Sequence, residues 1–183
     1  MGRPAGGGPV PDAPPPPGVE VRAARPSDSR SMLEMLRGVA GERRYIRTER
    51  IDAARARQAR RRFRRPWTAQ GADIVAVAVD EGRVIGHLGV QRESGPATSH
   101  VASLGMAVAP EWRGRGVGSA LLAETFRWAR WAGVEKLSLS VYPDNEAAGA
   151  LYRKFGFREE GRLVGHSKKS YGYQDEVVMG RWL

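Results

Sequence analysis

From residue 19 onward, apolar positions recur with two alternating periods, which divides the chain into strands and helices. Val19-Glu20-Val21-Arg22-Ala23 alternates like a short strand. Met32, Met35, Leu36 and Val39 then recur at i, i+3, i+4 and i+7, which predicts a helix that Ser27 or Asp28 can cap. Residues 48–65 predict a second helix with a thin apolar face (Ile51, Ala54, Phe63), stopped by Pro66. Two strands, 73–79 and 83–90, flank the turn Asp80-Glu81-Gly82, and a third runs to Val108 before Ala109-Pro110. The period turns helical over 116–132, with Val117, Ala120, Leu121, Trp128 and Trp131 expected on one face. A strand at 136–141 follows, closed by Pro143. Asn145 can then cap a helix whose Ala148, Leu151, Tyr152 and Phe155 share a face. Strand-like stretches at 157–164 and 175–182 close the chain, with a loop at 168–172 between them. A meander of strands followed by a strand–helix–strand crossover predicts an α/β fold of the α+β type. Its sheet is expected to be mixed, mostly antiparallel, twisted and of about seven strands, with helices on both faces.

Composition changes this picture at two places. Residues 1–18 are Pro- and Gly-rich and offer no core, so they read as a disordered tail ahead of one domain at 19–183. The net charge of +10 is concentrated in residues 42–65, where 11 Arg face Glu42, Glu49 and Asp52. Such a run reads first as a solvated helix face and second as a surface for a polyanion such as RNA. The absence of cysteine excludes disulfides, thiolate metal sites and a cysteine nucleophile. The N-terminal residues hold no apolar signal segment, and no apolar run reaches the roughly 20 residues that span a bilayer. A soluble, cytoplasmic protein without a membrane partner is therefore expected. No His and carboxylates stand at metal-ligand spacing, so no metal is expected.

The chemistry is concentrated in Arg113-Gly114-Arg115-Gly116-Val117-Gly118-Ser119, between a strand and an amphipathic helix. Glycines allow tight turns and close approach of a ligand, and a helix start offers unpaired N–H groups and the positive end of the helix dipole. With two arginines beside it, this is an anion site suited to phosphates. It lacks the Gly-Lys-Ser/Thr ending of a Walker loop. Its G-x-G-x-G spacing late in a meander is not the dinucleotide fingerprint.

The stretch resembles motif A of the GNAT superfamily of N-acetyltransferases, Q/R-x-x-G-x-G/A, here Arg113-x-x-Gly116-x-Gly118. Asn145-Glu-Ala-Ala-Gly-Ala-Leu-Tyr152-Arg-Lys-Phe-Gly-Phe157 resembles motif B of the same superfamily, and the resemblance covers about residues 19–183. It implies acetyl-CoA as co-substrate, lying where the strand of Met106, Ala107 and Val108 splays from that of Leu139 and Val141. The pantetheine would pair with Met106 and Val108. The pyrophosphate would meet N–H groups of Gly114, Gly116, Val117, Gly118 and Ser119, with Arg113 and Arg115 beside it. Met106 N–H would serve as oxyanion donor. Asn145 and Ala148 would hold the pantetheine, and Tyr152 would protonate the departing thiolate. The implied reaction is direct attack of a primary amine on the thioester, the amine belonging to a small molecule or to a protein N-terminus or lysine. Glu49, Glu111 and His87 are the candidate bases, with Glu49 placed first. Tyr171, Tyr173 and Asp175 are candidate acceptor contacts. Relatives often form homodimers, so a homodimer is an open expectation. The competing reading is a GNAT-fold binding module or acetyl-CoA sensor that uses the Arg-rich segment on RNA or ribosome with little catalysis.

Overall fold

The computed structural model of the protein describes residues 7–46 and 73–183, and side chains from residue 76 onward in the second stretch. Among these residues lie seven strands and three α-helices. They are β1 (Val19–Ala23), α1 (Ser29–Gly41), β2 (Asp73–Asp80), β3 (Arg83–Arg92), β4 (Val101–Val108), α2 (Val117–Trp131), β5 (Lys136–Val141), α3 (Glu146–Lys154), β6 (Arg158–Lys169) and β7 (Gly172–Trp182). The predicted helix over 48–65, with Glu49, lies outside the described residues.

The seven strands form one sheet in the order β1-β2-β3-β4-β5-β7-β6. All neighbours pair antiparallel except β4 and β5, which are parallel. A parallel pair needs a crossover, and α2 supplies it, packed over β2 and β3. The expected mixed, mostly antiparallel sheet with helices on both faces is what forms.

Alternation of side chains divides the apolar residues between two faces. On one face, Leu88, Ala102, Leu104, Leu137, Leu139 and Met179 pack against Val117, Leu121, Leu122 and Phe126 of α2, Tyr152 of α3 and Phe155 just after it. On the other, Val77, Val79, Val84 and Ala109 pack against Met32, Met35 and Val39 of α1. The helical period placed most of these, but Trp131 is 59 % exposed. It is the last residue of α2, while Phe126 is buried.

Helix α1 opens without the expected side-chain cap. The carboxylate of Asp28 instead accepts from the Arg22 guanidinium at 2.7 and 3.0 Å and from Arg25 N at 2.6 Å. Residues 7–16 have no regular secondary structure, yet they lie against the domain. Gly7 N donates to Trp182 O at 3.0 Å, and Val10 and Ala13 pack on the core. Arg181, buried at 4 % exposure, donates to Gly8 O and Phe155 O and stands 4.6 Å over the Phe126 ring.

The last hairpin is longer than the apolar pattern suggests. Lys168 and Lys169 are strand residues opposite Tyr173 and Gly172, so the turn is only Ser170-Tyr171. Strand β6 is an edge strand largely exposed on both faces, so its sequence shows no alternation to read.

Candidate active site

Strands β4 and β5 pair only at Val101↔Lys136, Ala102↔Leu137 and Ser103↔Ser138. Beyond Ser103, β4 stays paired with β3 through Val108, and beyond Ser138, β5 stays paired with β7 through Val141. The sheet therefore opens into a V at its centre. Glu93 N donates to Val101 O and Ala109 N to Ile85 O, so odd-numbered residues of β4 turn their polar backbone groups to β3. By alternation, even-numbered residues of β4 face β5; the Ser103↔Ser138 pairing takes the Leu104 N–H, so the Leu104 C=O and the backbone groups of Met106 and Val108 point into the V. A row of strand groups with no strand partner is suited to an extended ligand that pairs as a strand would.

The loop after β4 turns through Pro110–Trp112 and brings α2 over the mouth of the V. Gly114 and Gly116 have φ of 72° and 89°, and an added Cβ at either would meet nothing within 4 Å. Glycine is required there by backbone conformation rather than by space. No side chain caps α2, and the first helical bond closes from Ala120 N to Gly116 O. The N–H groups of Val117, Gly118 and Ser119 are thus the unpaired donors of the first turn. Gly118 is constrained differently. A Cβ there would lie 3.1 Å from Leu151 Cδ2 and 3.3 Å from Met106 Cε, so β4, α2 and α3 converge on it.

Two arginines flank this loop. Arg113 is turned back on the protein, donating to Val108 O at 3.1 Å and to Glu42 at 2.9 Å. This link to the end of α1 is not visible in the sequence, where the two lie 71 residues apart. Arg115 stands 5.3 Å over the Trp112 ring.

On α3, Asn145 is the N-cap, accepting from Ala148 N at 3.3 Å. Tyr152 is 6 % exposed, edge-on to Phe157 at 5.8 Å, and its hydroxyl takes no hydrogen bond among the described residues. Burial pushes its hydroxyl up to about 12 from the ordinary 10.0, so it holds its proton across the neutral range. The structure brings Met106, Gly118 and Leu151, the neighbour of Tyr152, to one place. Asp175 is held by Gly165 N at 2.7 Å and Arg162 at 2.9 Å, and Tyr171 and Tyr173 are exposed. Glu111 sits on the Pro110–Trp112 turn, exposed.

Several polar residues that sequence reasoning passed over are buried beside β5. Tyr142 donates to Ser167 at 3.3 Å, Ser167 donates to the buried Glu176, and Lys169 donates to Ile46 O. Tyr171 OH donates to Arg43 O at 3.1 Å and Tyr45 OH to Asp144 O at 2.9 Å. These contacts clasp the exit of α1 against the last hairpin. Nothing in their spacing signals it, because the partners are remote in sequence.

A cavity of about 680 Å³ lies beside the V, between α3, β5, β7 and the N-terminal segment. Gly7, Tyr142, Asn145, Gly149, Arg153 and Met179 are among its walls. Among the described residues, no group of three or more His, Cys, Asp or Glu is placed to hold a metal ion. No described helix is long and apolar enough to cross a membrane.

Known proteins share this arrangement. The Acetyltransferase (GNAT) family matches residues 42–157, more than half of the chain. The chain therefore belongs to the GNAT acetyltransferase family. It is 37 % identical over 106 residues to the L-amino acid N-acetyltransferase AaaT of Escherichia coli (strain K12), covering 57 % of this chain and 65 % of that one. It is 38 % identical over 101 residues to the aminoglycoside N(6')-acetyltransferase type 1 of Stenotrophomonas maltophilia, covering 52 % of this chain and 65 % of that one. The matches thus span just under two thirds of each relative's own length. In three dimensions the chain superposes with a TM-score of 0.78 and 25 % identity on a GNAT superfamily phosphinothricin acetyltransferase from Sinorhizobium meliloti in complex with AcCoA. That superposition covers 91 % of this chain and 89 % of the other.

Proposed function

We propose that the protein is an N-acetyltransferase that moves the acetyl group of acetyl-CoA to a primary amine by direct attack on the thioester. The observation that carries this reading is the V between β4 and β5, with unpaired strand groups along one side and unpaired helix N–H groups at its mouth. An extended pantetheine arm suits the first and a pyrophosphate the second. The S. meliloti protein of the same fold is described with AcCoA bound, which supports the same donor here. In this reading, Met106 and Val108 pair with the pantetheine, and Gly114, Gly116, Val117, Gly118 and Ser119 receive the pyrophosphate. Arg113 leaves Val108 O and Glu42 to do so, and Arg115 adds charge at the rim.

The amine nitrogen forms a C–N bond to the acetyl carbon, and Met106 N–H stabilises the oxyanion of the tetrahedral intermediate. The C–S bond then breaks, and the Tyr152 hydroxyl gives its proton to the thiolate sulfur. A hydroxyl held neutral by burial is suited to donate at the moment negative charge appears on sulfur. Asn145 caps α3 and thereby fixes the position of Tyr152 two turns along it.

The names of the relatives span amino acids and aminoglycosides, which supports a primary amine as the acceptor class here. CoA-thiol release should be followed across amino acids, aminoglycosides, polyamines and N-terminal peptides, with mass spectrometry of the product. A product heavier by one acetyl group supports the reading. Cofactor binding without transfer to any of these amines sinks it in favour of a sensor or binding module.

A further inference from the structure

The α1 side of the opened sheet has a bare patch beside the V. Antiparallel partners share a face, so Gly89 of β3 and its partner Gly105 of β4 both lie bare on that side, next to Ala107, which packs towards α1. Gly105 is exposed, and a Cβ added there would meet nothing within 4 Å. A Cβ added at Gly89 would meet one side chain within 4 Å, that of His87, with Nε2 at 3.4 Å and Cε1 at 3.9 Å. The imidazole therefore edges an open bay floored by glycine backbone. Ser103 and Gly105 continue the bay towards the V, and Ser138 and Ser140 of β5 form its far bank. Met106, whose N–H points into the V, adjoins Gly105 in sequence.

We propose that this bay seats the acceptor amine and that His87 takes the amine's proton, directly or through one water. The inference rests on the acetyltransferase reading above and supplies the base which that reading leaves open. Imidazole is the side chain that changes charge near neutrality, and a base of that kind is matched to the task at physiological pH. Helix α1 turns Met32, Met35 and Val39 to the sheet, β2 sets Val77 beside His87, and β4 sets Gly105 and Ala107. Glu176, on the same face but beyond β5, is sealed at 1 % exposure and accepts from Ser167. In the step itself, nitrogen bonds to the acetyl carbon and its proton passes to an imidazole nitrogen. Sulfur leaves with the proton of Tyr152, the imidazolium then gives its proton to solvent, and the tyrosinate takes one back from solvent once the thiol has left.

The test compares amines of different basicity at fixed acetyl-CoA, using hydroxylamine, L-phenylalaninamide and spermidine. In the intact protein, kcat/KM for the basic amines should carry an acidic limb in the imidazole range. His87→Gln should lower transfer to the two more basic amines by about 10²–10⁴-fold and abolish that limb. Hydroxylamine is neutral at the assay pH and loses its proton readily after attack, so it should fall by less than about ten-fold. A merely structural histidine would lower all three amines alike and leave the profile's shape unchanged, and that result overturns the proposal. Gly105→Val fills the bay without touching the groups that face the V. It should raise the amine KM by about ten-fold or more while acetyl-CoA affinity stays within about two-fold. Unchanged amine KM in that variant also overturns the proposal. If the intact protein acetylates none of the three amines or any other, the acetyltransferase reading fails and this inference with it.

Discussion

Removing one oxygen atom separates what Tyr152 does for the fold from what it does for the reaction. In Tyr152→Phe the ring keeps its edge-on contact with Phe157 at 5.8 Å, and no described hydrogen bond loses a partner. At pH 7 the variant should therefore unfold within about 1 kcal/mol of the parent. The alkaline range is different. Burial raises the Tyr152 hydroxyl from 10.0 to about 12. Below pH 10 both folded and unfolded chains keep the proton, and stability is complete. Above it the unfolded chain ionises while the folded one does not, so stability falls until the folded value is passed. The difference between 10.0 and about 12 amounts to about 3 kcal/mol, of which about 2 kcal/mol should be gone by about pH 11.5. Urea unfolding of parent and variant at several pH values isolates this contribution, because every other titrating group is common to both. The parent should lose about 2 kcal/mol more than the variant between pH 9 and 11.5. Equal losses would show that the hydroxyl is not in an apolar site, and the physical reason for its holding a proton would go with it. The same variant should lower transfer by about 10²-fold or more with acetyl-CoA affinity within two-fold. Unchanged turnover removes Tyr152 from the mechanism.

Gly118→Val should weaken acetyl-CoA binding by at least about ten-fold in calorimetry, because its side chain must displace Met106 and Leu151, each already within 3.3 Å of a Cβ there. Gly116→Ala meets no atom but is forced to a φ of 89°, so it should cost about 1–2 kcal/mol of folding stability in denaturant titration. Asn145→Ala removes the cap of α3 and should cost about 1 kcal/mol by the same measure. Arg181→Met leaves Phe155 O and Gly8 O without their donor and should cost about 1–3 kcal/mol. It should also make the N-terminal segment more sensitive to limited proteolysis.

The sequence was most legible where a single periodicity matched a single burial pattern. Val19–Ala23, Val101–Val108 and Lys136–Val141 begin and end where alternation says they should, because each has one apolar face. The phosphate-loop glycines were legible for a related reason. A positive φ or a close approach admits little else, so their chemistry is local. Strand β6 was not legible, since an exposed edge strand such as 158–169 has no buried face to impose a pattern. Three tertiary features were also hidden: the Arg113–Glu42 pair, the Glu176–Ser167–Tyr142 chain and the bay at Gly89 and Gly105. Each depends on which strands become neighbours, and a pair of glycines facing each other across β3 and β4 reads in sequence as two unrelated residues 16 positions apart. His87 was visible as a candidate, but only the open space beside it separates it from a histidine packed in a sheet.

The central claim is that the V between β4 and β5 is the donor site. Amide hydrogen exchange with and without saturating acetyl-CoA measures it directly. The account predicts slowed exchange at Met106 and Val108 and at Val117, Gly118 and Ser119, with α1 and β1 unchanged. Protection confined to the cavity behind α3, or none at these amides while acetyl-CoA is demonstrably bound, would contradict it.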